Sequence, residues 1–166
     1  MKKQAPDAID LLDADHLTVH GLFQAYRELV RTHASALQRR ALAEEICMEL
    51  TIHAKLEEEL FYPAVRDALN EDTLVDEAED QHGSQREFIA QILAMRPEDE
   101  LYDAKVAVLS EYVERHVHKE REQVFNRVAA SRMDLQSIGR SIAVRREELH
   151  AVAEALREDA LASAIA

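Results

Sequence analysis

Apolar residues recur in steps of three and four along most of this chain, and that spacing restricts what the chain can fold into. An α-helix turns once every 3.6 residues, so such steps keep one helical face apolar and directed toward a core. A strand would instead need alternation of apolar and polar residues. The pattern runs through residues 9–30, 42–64, 75–92 and 106–124. We therefore expect four core-facing helices.

Glycine and proline are scarce in this chain. The chain holds only three glycines and three prolines, too few for a turn-rich all-β protein. The first helix is expected to begin after Pro6 and Asp7, the second to fade near Asn70, and the third to end before Pro97. Short connections make consecutive helices antiparallel neighbours. The sequence predicts an all-α, up-down-up-down four-helix bundle over residues 1–130.

A fifth helical stripe follows the bundle. We expect a helix over residues 134–162, with Gly139 and the Arg145-Arg146 pair interrupting its apolar pattern. This segment carries no candidate site residue. We therefore interpret residues 131–166 as a C-terminal helical extension that packs on the bundle or forms the interface of a homodimer.

Charge and hydropathy exclude some classes of partner. With 33 acidic and 20 basic residues, the net charge of −13 repels nucleic-acid phosphates and anionic lipid surfaces. No apolar run approaches the roughly 20 residues that span a bilayer, and the opening MKKQAPDAID lacks the apolar stretch of a signal peptide. The lone Cys47 fits a reducing compartment. We expect a soluble, cytoplasmic protein without a nucleic-acid or membrane partner.

Each of the four apolar stripes contains a histidine, and two stripes carry a glutamate four residues further on. Residues at i and i+4 lie on the same helical face, so each His–Glu pair can bind one ion or neighbouring ions. The candidate metal ligands are His16, His53, Glu57, His82, His116 and Glu120. Core-facing glutamates need compensation for lost hydration, which metal ions provide. Bundle proteins build dinuclear iron or manganese sites in this way, and mixed imidazole and carboxylate ligation favours iron.

A metal-free bundle with hydrogen-bonded core histidines is the alternative, because a single buried histidine is more often structural than a ligand. The joint placement of six such residues on inward faces favours the metal. Helical phase separates one competing pair: His118 and Glu122 share the spacing, but two residues rotate a helix by about 200°, so this pair should face solvent. We interpret His20 as a group outside the ligand set, and His33 and His150 as surface residues.

Longer stretches carry a family resemblance. The segment HAKLEEELFYPAV aligns without gaps with HVHKEREQVFNRV, which sets His53 against His116 and Glu57 against Glu120. They lie within RALAEEICMELTIHAKLEEELFYPAV and DAKVAVLSEYVERHVHKEREQVFNRV. Together with LLDADHLTVHGLFQAYREL and VDEAEDQH, these stretches span most of residues 11–128 and resemble the hemerythrin-like HHE cation-binding domains. Two positions depart from the family pattern: Asn126 stands where proline is usual, and Gln81 where an acidic residue is frequent.

The resemblance implies a hemerythrin-like bundle with a non-heme di-iron centre bridged by an oxo or hydroxo group. By that likeness Glu57 and Glu120 bridge the irons. The terminal ligands are then His16, His53, His82 and His116. One iron has fewer histidines than in hemerythrin, so it keeps an open position or is completed by His20, Glu58 or Glu79.

Function follows from the resemblance only in outline. It implies binding of O2, nitric oxide or peroxide at the iron pair. The alternatives are a catalase-like enzyme that disproportionates peroxide, or a protein for iron storage, delivery or sensing. The ligand residues do not separate binding from turnover.

Overall fold

The computed structural model describes residues 5–164, and these residues form helices and contain no strand. The first four residues of the opening segment and the last two of the predicted extension lie outside the described residues. Within residues 5–164, no helix combines the length and apolarity needed to cross a membrane. The all-α prediction is confirmed.

Eight α-helices and two π-helical turns follow one another along the described chain. The first half comprises α1 (Ala8–Arg31), α2 (Ala36–Leu56), the π-turn π1 (Glu57–Phe61), α3 (Tyr62–Leu69) and α4 (Asp72–Ala94). The second half comprises α5 (Tyr102–Lys119), the π-turn π2 (Glu120–Phe125), α6 (Asn126–Ala129), α7 (Leu135–Ala151) and α8 (Ala153–Ala162). The stretches α2–π1–α3 and α5–π2–α6 are each continuous, so the bundle has four rods.

Local capping explains where the rods begin and end. The Asp7 carboxylate accepts a hydrogen bond from the Asp10 amide at 3.0 Å, and Asp10 accepts one in return from the Asp7 amide. This reciprocal cap satisfies amides that have no partner inside the helix. At the C-terminal end of the second rod, Asn70 adopts a left-handed conformation with φ of 52°. This conformation ends the helix. The predicted boundaries at Asp7, Asn70 and before Pro97 are confirmed.

Hydrogen bonds between the rods fix their directions. At one end of the bundle, the Tyr26 hydroxyl and the Arg39 guanidinium both donate to Asp103, each at 2.6 Å. Near that end Lys105 also donates to Gln91 at 2.7 Å. The four stripe histidines meet in a separate layer, so the chain runs away from the histidines in α1 and α4 and toward them in α2 and α5. Consecutive rods are antiparallel, as predicted.

Two apolar clusters enclose the histidine layer. Leu12, Leu56 and Phe61 belong to the first cluster, whereas Val19, Leu50 and Val113 belong to the second. Along α1, His16 falls between Leu12 of one cluster and Val19 of the other. The core is therefore divided, and the polar layer lies between two dry regions.

The C-terminal extension lies against the bundle. Helix α7 packs on α1 and α2, and α8 packs on α4 and α2. Its apolar side chains Ile142 and Leu149 are at most 1% exposed, and Leu156 is 8% exposed. The prediction of one helix over residues 134–162 is wrong: the chain bends at Val152, whereas Gly139 and Arg145 lie inside α7. The bend lets the extension cover two sides of the bundle.

Candidate metal centre

All six candidate ligands are buried in one layer of the bundle. They come from all four rods, and π1 and π2 supply the glutamates. Their exposed fractions are 5% for His16, 6% for His53, 0% for Glu57, 1% for His82, 4% for His116 and 2% for Glu120. Since ionisable side chains are rarely this buried without partners, the layer needs an electrostatic explanation.

One group of donors consists of His16, His53, Glu57 and Glu120. Each offers one nitrogen or oxygen atom, and these atoms all lie within 4.8 Å of one another. The Nε2 atoms of His16 and His53 are 3.2 Å apart. Oε1 of Glu57 is 2.6 Å from Nε2 of His53, and Oε1 of Glu120 is 3.3 Å from Nε2 of His16.

A second group consists of Glu57, His82 and His116, whose donor atoms also lie within 4.8 Å of one another. The two Nε2 atoms are 3.2 Å apart, and Oε1 of Glu57 is 3.5 Å from Nε2 of His82. The other oxygen of Glu120, Oε2, is 3.6 Å from Nε2 of His116. Glu57 belongs to both groups, and Glu120 reaches from the first group to His116 of the second.

The donor set fits cations better than it fits internal hydrogen bonding. Both oxygens of Glu57 and Oε1 of Glu120 are buried without a partner in hydrogen-bonding geometry among the described residues. Nε2 of His53 and Oε1 of Glu57 are only 2.6 Å apart, but they do not have the geometry of a hydrogen bond. Donors bound to one ion at about 2.1 Å lie about 3.0–3.4 Å from one another. Several separations in this layer fall in that range.

Each histidine directs Nε2 toward the centre and Nδ1 toward an outer acceptor. The pairs are His16 with Asp13 at 3.2 Å, His53 with Asp15 at 3.0 Å, His82 with Glu58 at 3.0 Å, and His116 with Gln81 at 2.6 Å. An acceptor at Nδ1 holds the proton there and leaves the Nε2 lone pair free for a metal. Sequence reasoning missed Asp13, Asp15 and Gln81 in this role.

The sequence also offered Glu58, Glu79 and His20 as ligands that complete the coordination. None of the three joins the converging donors. Glu58 lies on the outer edge of His82 and pairs with Arg86 at 2.7 Å. The Glu79 side chain is 41% exposed and pairs with Arg66. The His20 side chain is half exposed and lies 3.8 Å from Glu114. The converging donors of each group are therefore two imidazoles and the two shared carboxylates.

Tyr62 is a polar neighbour that sequence reasoning missed. Its side chain is fully buried, and its hydroxyl donates to Oε2 of Glu120 at 2.6 Å. The same hydroxyl is 3.5 Å from Nε2 of His82. The aromatic–proline step in HAKLEEELFYPAV was the available signal. The hydroxyl supplies a buried proton donor beside the second group.

The two π-turns begin at Glu57 and Glu120, the same point in both rods. In the second rod, Pro63 offers no amide and crowds the carbonyl four residues earlier, which the wider π-turn accommodates. In the fourth rod Asn126 replaces that proline, and its side-chain amide donates to the Glu122 carbonyl at 3.1 Å. The fourth rod ends at Ala129. Isolated π-turns frequently mark functional sites.

Without metal, protons take the place of cations in this layer. Burial lowers the pKa of His82, but the nearby Glu57 and Glu58 carboxylates outweigh it and raise that pKa to about 9. Burial likewise opposes the shift at His53, yet the Glu57 carboxylate and Asp15 hold its pKa well above the ordinary value. Burial and the neighbouring Glu57 raise the pKa of Glu120 to about 7. His53 and His82 are thus imidazolium ions in the metal-free layer, and metal ions would displace their protons.

The remaining histidines and the cysteine lie apart from the centre. The His118 side chain is 73% exposed, and His33 and His150 are exposed, as predicted. Cys47 is fully buried in the second apolar cluster, and burial raises the pKa of its thiol to about 12. A neutral thiol in an apolar region is not a metal ligand.

Comparisons with known proteins agree with this geometry. Among curated proteins, a DNA nickase from Nostoc sp. (strain PCC 7120) is 32% identical over 136 residues, which cover 81% of this chain but only 36% of the nickase. This chain thus spans about a third of that relative. Among solved structures, a hemerythrin HHE cation binding domain-containing protein from Mycobacterium kansasii superposes with a TM-score of 0.76 at 22% identity. That match covers 96% of this chain and 99% of the other, and it shows a shared fold.

The family comparison reaches the site residues. The model of the hemerythrin HHE cation binding domain matches residues 7–128, which include the four rods and all six candidate ligands. The chain belongs to the hemerythrin HHE cation-binding domain family.

Proposed function

We propose that this protein holds a carboxylate-bridged, non-heme di-iron centre that binds O2, nitric oxide or peroxide. The observation that carries the proposal is the pair of donor groups that share Glu57 and are also spanned by Glu120. The first group would hold one iron through His16 and His53, and the second would hold the other through His82 and His116. Bound iron would supply reversible redox change and an exchangeable coordination position.

Iron is favoured by the chemistry of the donors. All six are imidazoles or carboxylates, which suit iron, whereas structural zinc and iron–sulfur centres use thiolates. The thiol of Cys47 lies away from these donors, in the second apolar cluster. Outer acceptors on all four histidines orient the rings for this ligation.

The residues around the second group suit a small exogenous ligand. Counting both glutamates, each group offers two imidazoles and two carboxylates, which leaves positions open for an exogenous ligand. The Tyr62 hydroxyl is the polar group beside the second group. Apolar clusters on both sides exclude bulk water and strengthen electrostatic interactions within the layer.

Surface cavities give small molecules a route to the histidine layer. A cavity of about 370 Å³ between α1 and α5 is lined by Val19 and Val113 and reaches His16. Another, of about 290 Å³, lies between α4 and α5 and reaches His116 beside Arg115 and Lys119. Both are wide enough for a diatomic ligand or peroxide to approach the layer.

Two further activities use the same centre. A catalase-like enzyme would disproportionate peroxide, with Tyr62 placed to move a proton, and an iron storage, delivery or sensing protein would release or report the metal. The nickase activity belongs to the longer relative, and a net charge of −13 opposes contact with DNA here. A cytoplasmic protein without a nucleic-acid or membrane partner is therefore part of our proposal. A homodimer through the C-terminal extension, whose outer face carries the exposed Val144, stays a prediction.

The deciding experiment combines metal analysis with spectroscopy. Protein from iron-supplemented cells should contain about two irons per chain, and the reduced protein should change its visible spectrum with O2, nitric oxide or peroxide. Peroxide consumption over many turnovers would favour the enzyme. His116→Ala should lose the signal and His118→Ala should keep it. Zinc alone, with no iron-dependent absorption after anaerobic reconstitution, would contradict the proposal.

A further inference from the structure

We propose that the C-terminal helix α7 is a working part of the metal centre, because its Arg146 positions His53 through Asp15. The inference rests on the proposed cation centre and extends it to a helix outside residues 7–128, the part that the family model matches. Arg146 acts through two hydrogen bonds and is a positioning residue. Docking of the extension and binding of metal would then be energetically coupled.

A single carboxylate oxygen carries this connection. Oδ2 of Asp15 accepts a hydrogen bond from the Arg146 guanidinium at 2.6 Å and one from Nδ1 of His53 at 3.0 Å. Nε2 of His53 in turn lies among the four donors of the first group. The guanidinium therefore fixes the oxygen that fixes the imidazole. Without that guanidinium, the Asp15 side chain is free to adopt other rotamers, and the His53 ring loses its fixed orientation.

Two other histidines have the same relay, which shows what is distinctive here. Asp13 joins His16 to Arg121, and Glu58 joins His82 to Arg86. Those arginines lie on π2 and α4, within the four rods. Only Arg146, among the three relays, comes from the extension. Its pair is also the most enclosed: the Arg146 and Asp15 side chains are 24% and 18% exposed, against 43% and 37% for Arg121 and Asp13. Screening by solvent is therefore weakest at this relay.

The packing of α7 explains why Arg146 reaches Asp15. A Cβ placed on Gly139 would lie 2.9 Å from the backbone carbon of Asp7, so α7 touches the start of α1 with no side chain between them. From Gly139 to Arg146 the helix rises about 10.5 Å, and from Asp7 to Asp15 it rises about 12 Å. The two helices run in the same direction from this contact, and Arg146 arrives level with Asp15.

The neighbouring Arg145 provides a matched control. It belongs to the same helix and also forms ion pairs, with Glu59 at 2.7 Å and with Glu148 at 3.0 Å. Neither of these partners contacts a candidate metal ligand among the described residues. Replacing Arg145 removes the same charge from α7 while leaving the relay intact.

The test compares metal loss from the full-length chain in R146Q, R146K and R145Q variants. Each protein is loaded separately with ferrous iron and with zinc, and the fraction of metal that passes to a competing chelator is measured at equilibrium. R146Q should bind metal about tenfold more weakly, the low end of the 10–100-fold that loss of the outer partner itself typically costs, because Arg146 acts through Asp15. R145Q should stay within about twofold of wild type, and R146K should recover part of the loss.

Hydrogen exchange supplies a readout that a merely structural role would not move. Coupling is reciprocal, so metal should slow the exchange of those α7 amides that open by local undocking of the helix, in wild type and R145Q, by the same factor by which the relay tightens metal binding. In R146Q that protection should disappear. Equal metal loss from R146Q and R145Q, or α7 protection by metal that survives in R146Q, would overturn the inference.

The two metals keep this outcome separate from that of the proposed function. If wild type holds zinc but not iron, the di-iron proposal fails, and the zinc data still decide the role of Arg146. If wild type holds neither metal, both proposals are wrong. Circular dichroism of the metal-free variants checks that R146Q keeps its helices.

Discussion

Helical phase distinguishes two glutamates that look alike along the chain. Glu120 is 2% exposed within the donor layer, whereas the Glu122 side chain is 63% exposed beside His118. Glu120→Ala should empty the site, because it removes the carboxylate that reaches both donor groups. Glu122→Ala should keep its iron and stay within about 0.5 kcal/mol of wild-type stability. Bound iron and melting temperature measure both. If Glu120→Ala keeps its iron while Glu122→Ala loses it, the assignment of Glu120 as the inward glutamate is wrong.

A buried amide leads to a prediction about the metal-free protein. Gln85 is 4% exposed, and its Nε2 has no hydrogen-bond partner among the described residues. An unpaired buried donor costs about 1–3 kcal/mol. Gln85→Leu should therefore raise the free energy of unfolding of the metal-free protein by about 1 kcal/mol. Urea titration measures it, with the exposed Gln24 of α1 as a matched site for the same change. Destabilisation by Gln85→Leu would show that the amide has a partner.

Protonation of the histidines predicts how metal binding depends on pH. In the metal-free protein the pKa of His82 is about 9, raised by Glu57 and Glu58 against the effect of burial. Below that pH a metal ion has to displace the imidazole proton. Apparent affinity should therefore rise with pH up to about 9, with protons released on binding. Calorimetry in two buffers of different ionisation enthalpy measures this release, and binding without it would contradict the prediction.

At the scale of single helices, close approach explains one glycine. Gly139 lies in the interior of α7, where alanine normally stabilises a helix by about 0.5–1 kcal/mol. Its added Cβ would meet the backbone of Asp7 and Ala8 at 2.9–3.0 Å, so Gly139→Ala should instead destabilise the protein by about 1–3 kcal/mol. Gly21 of α1 has no such atom within 4 Å, and Gly21→Ala should stabilise. Chemical denaturation of both variants tests the difference, and a gain in stability for Gly139→Ala would contradict the tight contact.

At the scale of the whole molecule, the extension contributes to the core. Ile142, Leu149 and Leu156 belong to the same apolar cluster as Leu12, and burying each contributes about 1.5–3 kcal/mol. A chain ending at Arg132 should expose that cluster, lose stability and aggregate more readily. Thermal unfolding and light scattering measure these effects. A truncated chain that stays soluble, iron-loaded and equally stable would show that the extension is dispensable.

The division of the chain follows from the same packing. We predict that residues 1–130 form the metal-binding bundle and that residues 131–166 form an extension that it needs for full stability. Helices α7 and α8 cover α1, α2 and α4. The extension therefore packs into the core of the bundle and has no separate core of its own.

Local periodicity was sufficient to predict much of this fold. The 3.6-residue repeat placed His16, His53, His82 and His116 on inward faces, and the structure buries all four. The same repeat separated Glu120 from Glu122. These predictions succeeded because the direction of a side chain around a helix depends only on its position in that helix.

Contacts between helices depended on tertiary packing. No periodicity pairs His53 with Asp15, His116 with Gln81, or Asp15 with Arg146, which is 131 residues away. The bend at Val152 and the turns at Glu57 and Glu120 were likewise not predicted. Such pairs require the rotation and axial offset of each rod, which the interlocking of side chains across the whole core determines. The sequence by itself therefore determined which face of each helix points inward, whereas the packing of the rods determined which partners orient the histidines.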